Sequence, residues 1–360
     1  MASQPFDFSN SSIDHIFSRQ SSIDLDRLKI KTLEEAYQFI ASYGYDLEKE
    51  ADQTALWNFH RRAVTFIETD LLVEGEQIPA DLSDPRKLKD LGYLLIYASN
   101  RSAPETSMQN WACAIIRVMH VLVHLENDIF YLCSDDIQDQ ILNPIRHCVS
   151  KDPIKGLALG SGAQAIPLKK FEIKPFKTST SSIVKLLIKP QAVAFRLLDK
   201  IGVRFVTKNV HDVFRVIRYL VENNVINFSH NIPDQSSNSL FPGGLFLEVM
   251  EEIKNKKNLK PEQIDQLLFE RLEGWNGRDG LFRKPNEFSS QRYKFVKFIS
   301  RRRIQTVMNG QAFSFFYPFE IQLMDYSSFL ENEKGAADHK MYKGRQRRRA
   351  RARILGFGDR

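Results

Sequence analysis

The stretch "LLDKIGVRFVTKNVHDVFRVIRYL" (residues 197–220) decides the fold class of the second half of the chain. Its β-branched and aromatic run "GVRFVT" predicts a strand. The residues that follow have apolar side chains at three- and four-residue spacing, which predicts an amphipathic helix. Asp199 precedes the strand, and Arg204 faces away from Val203 and Phe205 because side chains alternate along a strand. Charged side chains at the start of a strand suited to burial require an explanation.

Length and composition limit the possible classes of protein. The chain has 360 residues, 42% hydrophobic and 26% charged, which is typical of a globular protein with room for two domains. It contains no run of about 18 apolar residues, and its N-terminus lacks the pattern of a signal peptide. Three cysteines without CxxC spacing favour a reducing compartment. We therefore expect a cytoplasmic protein without a membrane segment.

The net charge of +7 is concentrated at the C-terminus, where nine Lys or Arg residues and one Asp lie between Lys340 and Arg360. Such a run is typical of a segment that binds RNA, a ribosome or another polyanion. The alternative is a solvated tail without a partner.

The sequence pattern predicts an α+β chain in several parts. Strands and helices alternate in the second half, whereas the first half has only helical spacing, with a Thr32-x-x-Glu35 capping box before its first clear helix. We expect a helical domain at 1–150, with about 30 poorly ordered residues at its start, and then a Gly- and Pro-rich linker at 151–170. A mixed domain follows at 171–345, with an insertion at about 228–280. A basic tail at 346–360 ends the sequence.

A second predicted strand, "FEIQLMD" (residues 319–325), also carries polar side chains on one face. Ile321 and Leu323 point to one face, and Glu320 and Gln322 share the other. A carboxylate and an amide side by side on a strand are either exposed to solvent or line a site.

The order of these features resembles the synthetase domain of the RelA/SpoT family, the enzymes that make guanosine tetra- and pentaphosphate. That family has Asp-x-x-Gly/Ala-x-Arg at a central strand and later a Glu-Val/Ile-Gln strand, followed by a helix with Tyr-Lys. The matching residues are Asp199, Gly202 and Arg204, then Glu320, Ile321 and Gln322, and finally "ENEKGAADHKMYKG" (331–344). The resemblance covers residues 171–345.

The resemblance implies a helical N-terminal domain followed by a mixed-sheet nucleotidyltransferase domain with flanking helices. It implies a Mg²⁺-dependent pyrophosphokinase that uses ATP as donor and acts on the 3′-hydroxyl of GDP or GTP, as in the alarmone synthesis of the stringent response. Asp199 and Glu320 would hold the metal, Glu320 would activate the hydroxyl and Gln322 would orient the substrate.

The resemblance also implies binding residues. Phosphate-binding candidates are Lys174, Lys177, Ser181, Lys185 and Arg204, and substrate-binding candidates are Asn286, Phe288, Arg292, His339, Tyr342 and Lys343. The chain departs from the family pattern at Pro175, Glu287 and Arg292, where the family has arginine, glycine and histidine. Phe288 stands where a family tyrosine stacks on guanine. These departures concern the acceptor more than the fold.

Three functions stay open at this point. The first is alarmone synthesis. The second is a toxin-type pyrophosphokinase that acts on tRNA ends, which the basic C-terminus favours. The third is a catalytically weak sensor or scaffold that binds nucleotide or RNA, which the departures favour. For the helical half we hypothesise regulation or partner binding.

One further pattern lies in the helical half. His120 and His124 are four residues apart in an apolar helical segment, a spacing that can bind a metal. No third ligand is evident from the sequence, so packing is the favoured interpretation.

Overall fold

The computed structural model describes residues 28–100, 106–126, 129–174, 179–188, 197–254, 256, 259–275, 281–282, 293–333 and 339–355. The chain divides into two compact units. The helical unit comprises residues 1–131, 178–197 and 343–360, and the sheet unit comprises residues 132–177 and 198–342. The structure is α+β, as predicted. The poorly ordered start expected over about 30 residues falls mostly outside the described residues.

The described helices are numbered in chain order. They are α1 (Leu33–Ser42), α2 (Glu50–Phe66), α3 (Ala80–Ser83), α4 (Pro85–Leu88), α5 (Gly92–Ser99), α6 (Thr106–Glu126), α7 (Ile129–Leu132), α8 (Ser134–His147), α9 (Ser179–Ile188), α10 (Val210–Glu222), α11 (Gly243–Lys254), α12 (Pro261–Glu273), α13 (Tyr326–Asn332) and α14 (His339–Leu355). Within the described ranges, no helix combines the length and the hydropathy needed to cross a membrane.

The core of the helical unit forms around α6. Its Ile115, Val118 and Leu122 are fully buried, and the helix packs against α2, α5 and α9. The capping box predicted at Thr32 and Glu35 is confirmed at the start of α1. These contacts bury the apolar stripe that the helical spacing indicated.

The basic C-terminal segment is a packed helix as far as Leu355, rather than the tail expected from residue 346. Ala350, Ile354 and Leu355 of α14 are buried in the core of the helical unit. Arg353 donates a hydrogen bond to the Leu187 carbonyl at 2.6 Å. The buried residues Gln346, Ala350 and Ile354 are four residues apart, so they lie on one side of the helix.

Arg351 anchors this helix to the rest of the helical unit. Its guanidinium binds both carboxylate oxygens of Glu76 at 2.6 Å and donates to the Leu71 carbonyl at 3.2 Å. The hydrogen bonds from Arg351 lower the pKa of Glu76. A fork-shaped, charge-assisted pair of this kind fixes the helix in one position.

The sheet unit contains a seven-stranded mixed sheet in the order β1-β2-β3-β4-β7-β6-β5. The strands are β1 (Val149–Asp152), β2 (Gly156–Leu159), β3 (Ile166–Lys174), β4 (Gly202–Thr207), β5 (Ser237–Asn238), β6 (Val296–Met308) and β7 (Gln311–Asp325). Only the β4–β7 pair is parallel among these strands. Helix α10 follows β4 and is capped by Asn209, and it packs against β3, β4 and β7.

Residues 151–170 form strands rather than the connector expected from their glycines. They contain most of the β1–β2 hairpin and the start of β3. Gly156, Gly160 and Gly162 adopt positive φ angles, so they make the tight turns between strands. Leu159 of β2 pairs with Ile166 of β3, and both side chains are buried. Glycine marks turns inside a sheet as readily as it marks linkers.

The segment expected to be an insertion, at about 228–280, contains a helical hairpin. Helices α11 and α12 pack against each other. Arg218 of α10 binds both carboxylate oxygens of Asp265 on α12, at 2.5 and 2.8 Å. This pair fixes the hairpin to the helix that follows β4.

We predict that Arg351→Ala lowers the free energy of unfolding by about 1 kcal/mol, because water still reaches the Arg351–Glu76 pair and screens it. Arg348→Ala on the exposed side of α14 is the matched control and should leave stability unchanged. The difference in the free energy of unfolding between the wild type and Arg351→Ala should become smaller at acidic pH. The folded pKa of Glu76 is lowered, so its contribution is present above the unfolded pKa and is lost as the pH falls through the folded pKa. Urea unfolding of both variants across pH measures this, and equal stabilities at pH 7 would contradict it.

Candidate functional site

The two sequence motifs lie side by side on the parallel strands β4 and β7. Gly202 is opposite Glu320, and Arg204 is opposite Gln322. Directly opposed residues share a face of a sheet. The register therefore brings the second half of Asp-x-x-Gly-x-Arg against Glu-x-Gln, although the two motifs are far apart in the sequence.

The outer neighbours of these strands extend the same polar face. On β3, Glu172 is opposite Arg204 and Lys174 is opposite Gly202. On β6, Lys297 is opposite Gln322. We call the set the polar sheet face: Glu172, Lys174, Gly202, Arg204, Lys297, Glu320 and Gln322.

The opposite face of the same strands is apolar. It carries the buried side chains of Val203, Phe205, Ile321 and Leu323. Helix α10 packs against these strands and buries Val213, Val216 and Leu220. This one-sided burial fixes the register, because a slip of one residue would move the charged side chains into the core.

Glu320 lies at the centre of the polar sheet face and is only 4% exposed. Lys174 contacts its Oε1, and the Lys297 ammonium lies 3.5 Å from its Oε2. Its backbone N–H donates to the Ile201 carbonyl at 2.9 Å. A buried carboxylate is costly unless it is paired, and here each of its oxygens has a cationic partner.

A second network fixes Arg204 and Gln322. Arg204 donates from Nε to Gln322 Oε1 at 3.1 Å and from Nη1 to Glu172 Oε2 at 3.0 Å. Gln322 donates from Nε2 to the Tyr293 hydroxyl at 3.3 Å. The orientation of the Gln322 amide is therefore set by a donor on one side and an acceptor on the other.

The pKa values of the flanking groups reflect these contacts. Burial raises the pKa of Glu172, but its ion pairs with Lys170 and Arg204 outweigh burial and lower the pKa overall. Burial also raises the pKa of the Tyr293 hydroxyl, against the nearby Arg204 charge. At neutral pH this part of the face thus carries an ionised carboxylate and a neutral phenol.

Gly202 allows the central contact to form. A Cβ at this position would lie 3.1 Å from Glu320 Cβ, 3.1 Å from the Glu320 carbonyl oxygen and 3.3 Å from Lys174 Cδ. These separations are too short for a relaxed contact. The glycine of the motif is therefore explained by close packing between Lys174 and Glu320.

Asp199 lies half-buried in the turn before β4. The backbone carbonyl of Ile201, two residues after Asp199, accepts a hydrogen bond from the backbone N–H of Glu320. This hydrogen bond joins the turn to β7. The described part of the chain has no group of three or more His, Cys, Asp or Glu side chains arranged for a metal. Mg²⁺ is commonly held by one or two carboxylates with substrate phosphates. Asp199 and Glu320 carry oxygen donors of the kind it prefers, and Lys174 and Lys297 engage both oxygens of Glu320 in this structure.

The other predicted site residues divide into three groups. The structure brings Lys174, Arg204, Glu320 and Gln322 together. Ser181 and Lys185 lie on α9 of the helical unit, and His339, Tyr342 and Lys343 lie in the first turns of α14. Lys177, Asn286, Phe288 and Arg292 fall outside the described residues.

Sequence reasoning missed Glu172, Lys297 and Tyr293. Glu172 and Lys174 are two residues apart in a strand, a spacing that places them on one face. Lys297 likewise interrupts an apolar run. The alternation was visible in both segments, but the neighbouring strands become known only from the strand order.

Comparison with known proteins does not identify the chain. No family model matches it, and a search of the curated proteins found no match. The basis for a functional proposal is therefore the polar sheet face and its two motifs.

We predict that Gly202→Ala destabilises the protein by about 1–3 kcal/mol, because the added methyl group overpacks the contact between Lys174 and Glu320. Gly274→Ala is the matched control, since a Cβ there meets nothing within 4 Å. Thermal unfolding of both variants measures the effect. Equal melting temperatures would show that Glu320 has room to move and that the contact does not require glycine.

Proposed function

We propose that the polar sheet face binds nucleotides and that the protein is a Mg²⁺-dependent pyrophosphokinase with the fold of a RelA/SpoT-like synthetase. The reaction transfers pyrophosphate from ATP to the 3′-hydroxyl of a guanine nucleotide. One observation carries the proposal, namely the in-register pairing of Gly202 with Glu320 and of Arg204 with Gln322. Two motifs of the resemblance thus meet on one face.

The cationic side chains suit a polyphosphate. Lys174, Lys297 and Arg204 converge on the polar sheet face. Phosphoryl transfer depends on positioning and on stabilising charge at phosphate oxygens. When bound by Asp199 and Glu320, Mg²⁺ would neutralise part of that charge. Lysines released from Glu320 would then be available to phosphate oxygens.

The acceptor hydroxyl requires a base, and Glu320 is the candidate. The 3′-oxygen forms a bond to the β-phosphorus of ATP, the bond to the bridging oxygen breaks, AMP leaves, and the hydroxyl proton passes to the carboxylate. Gln322 is held by Arg204 and Tyr293, so its fixed amide can orient the nucleotide. These roles use the two side chains that share the motif on β7.

We also propose the cellular compartment and the acceptor of this reaction. All three cysteines are free thiols, which suits a cytoplasmic protein. Guanine specificity follows from the resemblance. A tRNA end is the alternative acceptor, for which α14 offers the exposed cations Lys343, Arg348 and Arg349.

The contacts of Glu320 favour a second candidate, a nucleotide-binding module without transferase activity. Two ammonium groups neutralise this carboxylate. Each oxygen of this carboxylate is thus engaged by an ammonium group, which competes with a substrate hydroxyl for it. Such a protein would bind the phosphates of a nucleotide and act as a sensor rather than as an enzyme.

We predict that purified protein with Mg²⁺ and γ-labelled ATP transfers label to GDP or GTP. Glu320→Gln should lower the rate by at least about 100-fold, because general base catalysis typically contributes that much. Glu248→Gln, on the exposed side of α11, should keep the full rate. Total tRNA is tested as acceptor in a parallel reaction, and thermal unfolding confirms that each variant is folded.

The outcomes separate the candidates. Label on a guanine nucleotide that is lost only in Glu320→Gln supports alarmone synthesis. Label on tRNA alone overturns the proposed acceptor. Nucleotide binding without transfer to any acceptor supports the binding module, and absence of both binding and transfer rejects the site.

A further inference from the structure

Three aromatic side chains of the helical unit form a polar cluster outside the polar sheet face. Helix α6 carries His120 and His124 one turn apart, with ring centroids separated by 4.4 Å. Tyr43 follows the end of α1, and its ring lies 5.7 Å from that of His120 and 6.3 Å from that of His124. The cluster thus joins two helices that are distant in the sequence.

The donor atoms of the cluster converge. The Tyr43 hydroxyl is hydrogen-bonded to His120 Nδ1 and lies 3.3 Å from His124 Nε2. Ligands bound tetrahedrally to zinc at about 2.0–2.1 Å lie about 3.3 Å from one another. The spacing of the hydroxyl and His124 already matches that value, and the hydroxyl and His120 Nδ1 would have to move apart to reach it.

We propose that Tyr43, His120 and His124 form a binding site for a divalent transition-metal ion of the zinc class. Two histidines at positions i and i+4 of a helix are an established pair of zinc ligands. The phenolate oxygen supplies the third donor, which the sequence alone did not reveal. Water completes the coordination, as at sites with three protein ligands.

The cluster is accessible from solvent. Tyr43 and His124 are exposed and His120 is half-buried, so an ion can enter from solvent.

Coordination by Tyr43 requires loss of its proton. Without a bound metal, the phenol carries its proton at neutral pH. The O–H bond then breaks, the proton goes to solvent, and the oxygen forms a bond to the metal. Proton release on binding is a general property of such sites.

The test is a titration of the full-length, chelator-treated protein with Co²⁺, followed by visible absorption, and then displacement by Zn²⁺. We expect one ion per chain and the intense bands of a site with fewer than six ligands. His124→Ala and Tyr43→Phe should each weaken Zn²⁺ binding at least about tenfold, since changes around metal sites commonly have effects of this size. His147→Ala removes an exposed histidine of α8 and is the matched control.

His124 and Tyr43 are exposed, so both variants should fold, and circular dichroism checks this. Equal Zn²⁺ affinity in wild type, His124→Ala and His147→Ala would overturn the proposal, because binding would then be non-specific. Retained affinity in Tyr43→Phe would also overturn it, since the third ligand would be absent. The test reads metal binding rather than transferase activity, so it is independent of the proposed function.

Discussion

The contact between Gly202 and Glu320 across the parallel strands is the constraint on which the polar sheet face depends. The β4–β7 register, which burial of the apolar face fixes, places these two residues opposite each other and aligns Arg204 with Gln322. A side chain larger than hydrogen at residue 202 would separate Glu320 from Lys174. Because the opposite face of these strands is buried, the sheet cannot relieve such a clash by slipping. One glycine therefore links the packing of the core to the arrangement of the charged groups.

Charge balance around Glu320 couples stability to the proposed function. Its carboxylate is buried, and Lys174 and Lys297 reach it from strands on either side. Removing one partner from a buried pair is strongly destabilising because it leaves an uncompensated charge. A phosphate-bearing ligand could take over one lysine if a cation took over the carboxylate. The same three groups stabilise the fold and, under the proposed function, rearrange around a nucleotide.

The sequence was sufficient for the elements whose signal is local. The β4 strand, helix α10 and the shared face of Glu320 and Gln322 follow from periodicity alone. Pairing partners depend on strand order, so Glu172 and Lys297 could not be assigned to the face beforehand. The sequence predicts a linker at residues 151–170, where the structure has strands. A glycine in a turn cannot be distinguished from a glycine in a linker without knowledge of the neighbouring strands.

The basic C-terminus shows why net charge is a weak guide to function in this chain. Arg351 and Arg353 bind a carboxylate and a backbone carbonyl inside the helical unit, so their charge supports the fold. Arg347 likewise lies 2.6 Å from the carboxylate of Asp70. A polyanion would meet only the exposed positions of α14, and competing with the internal pairs would cost stability. If RNA binds this helix, Arg348 and Arg349 are the arginines available to it without unfolding its anchor.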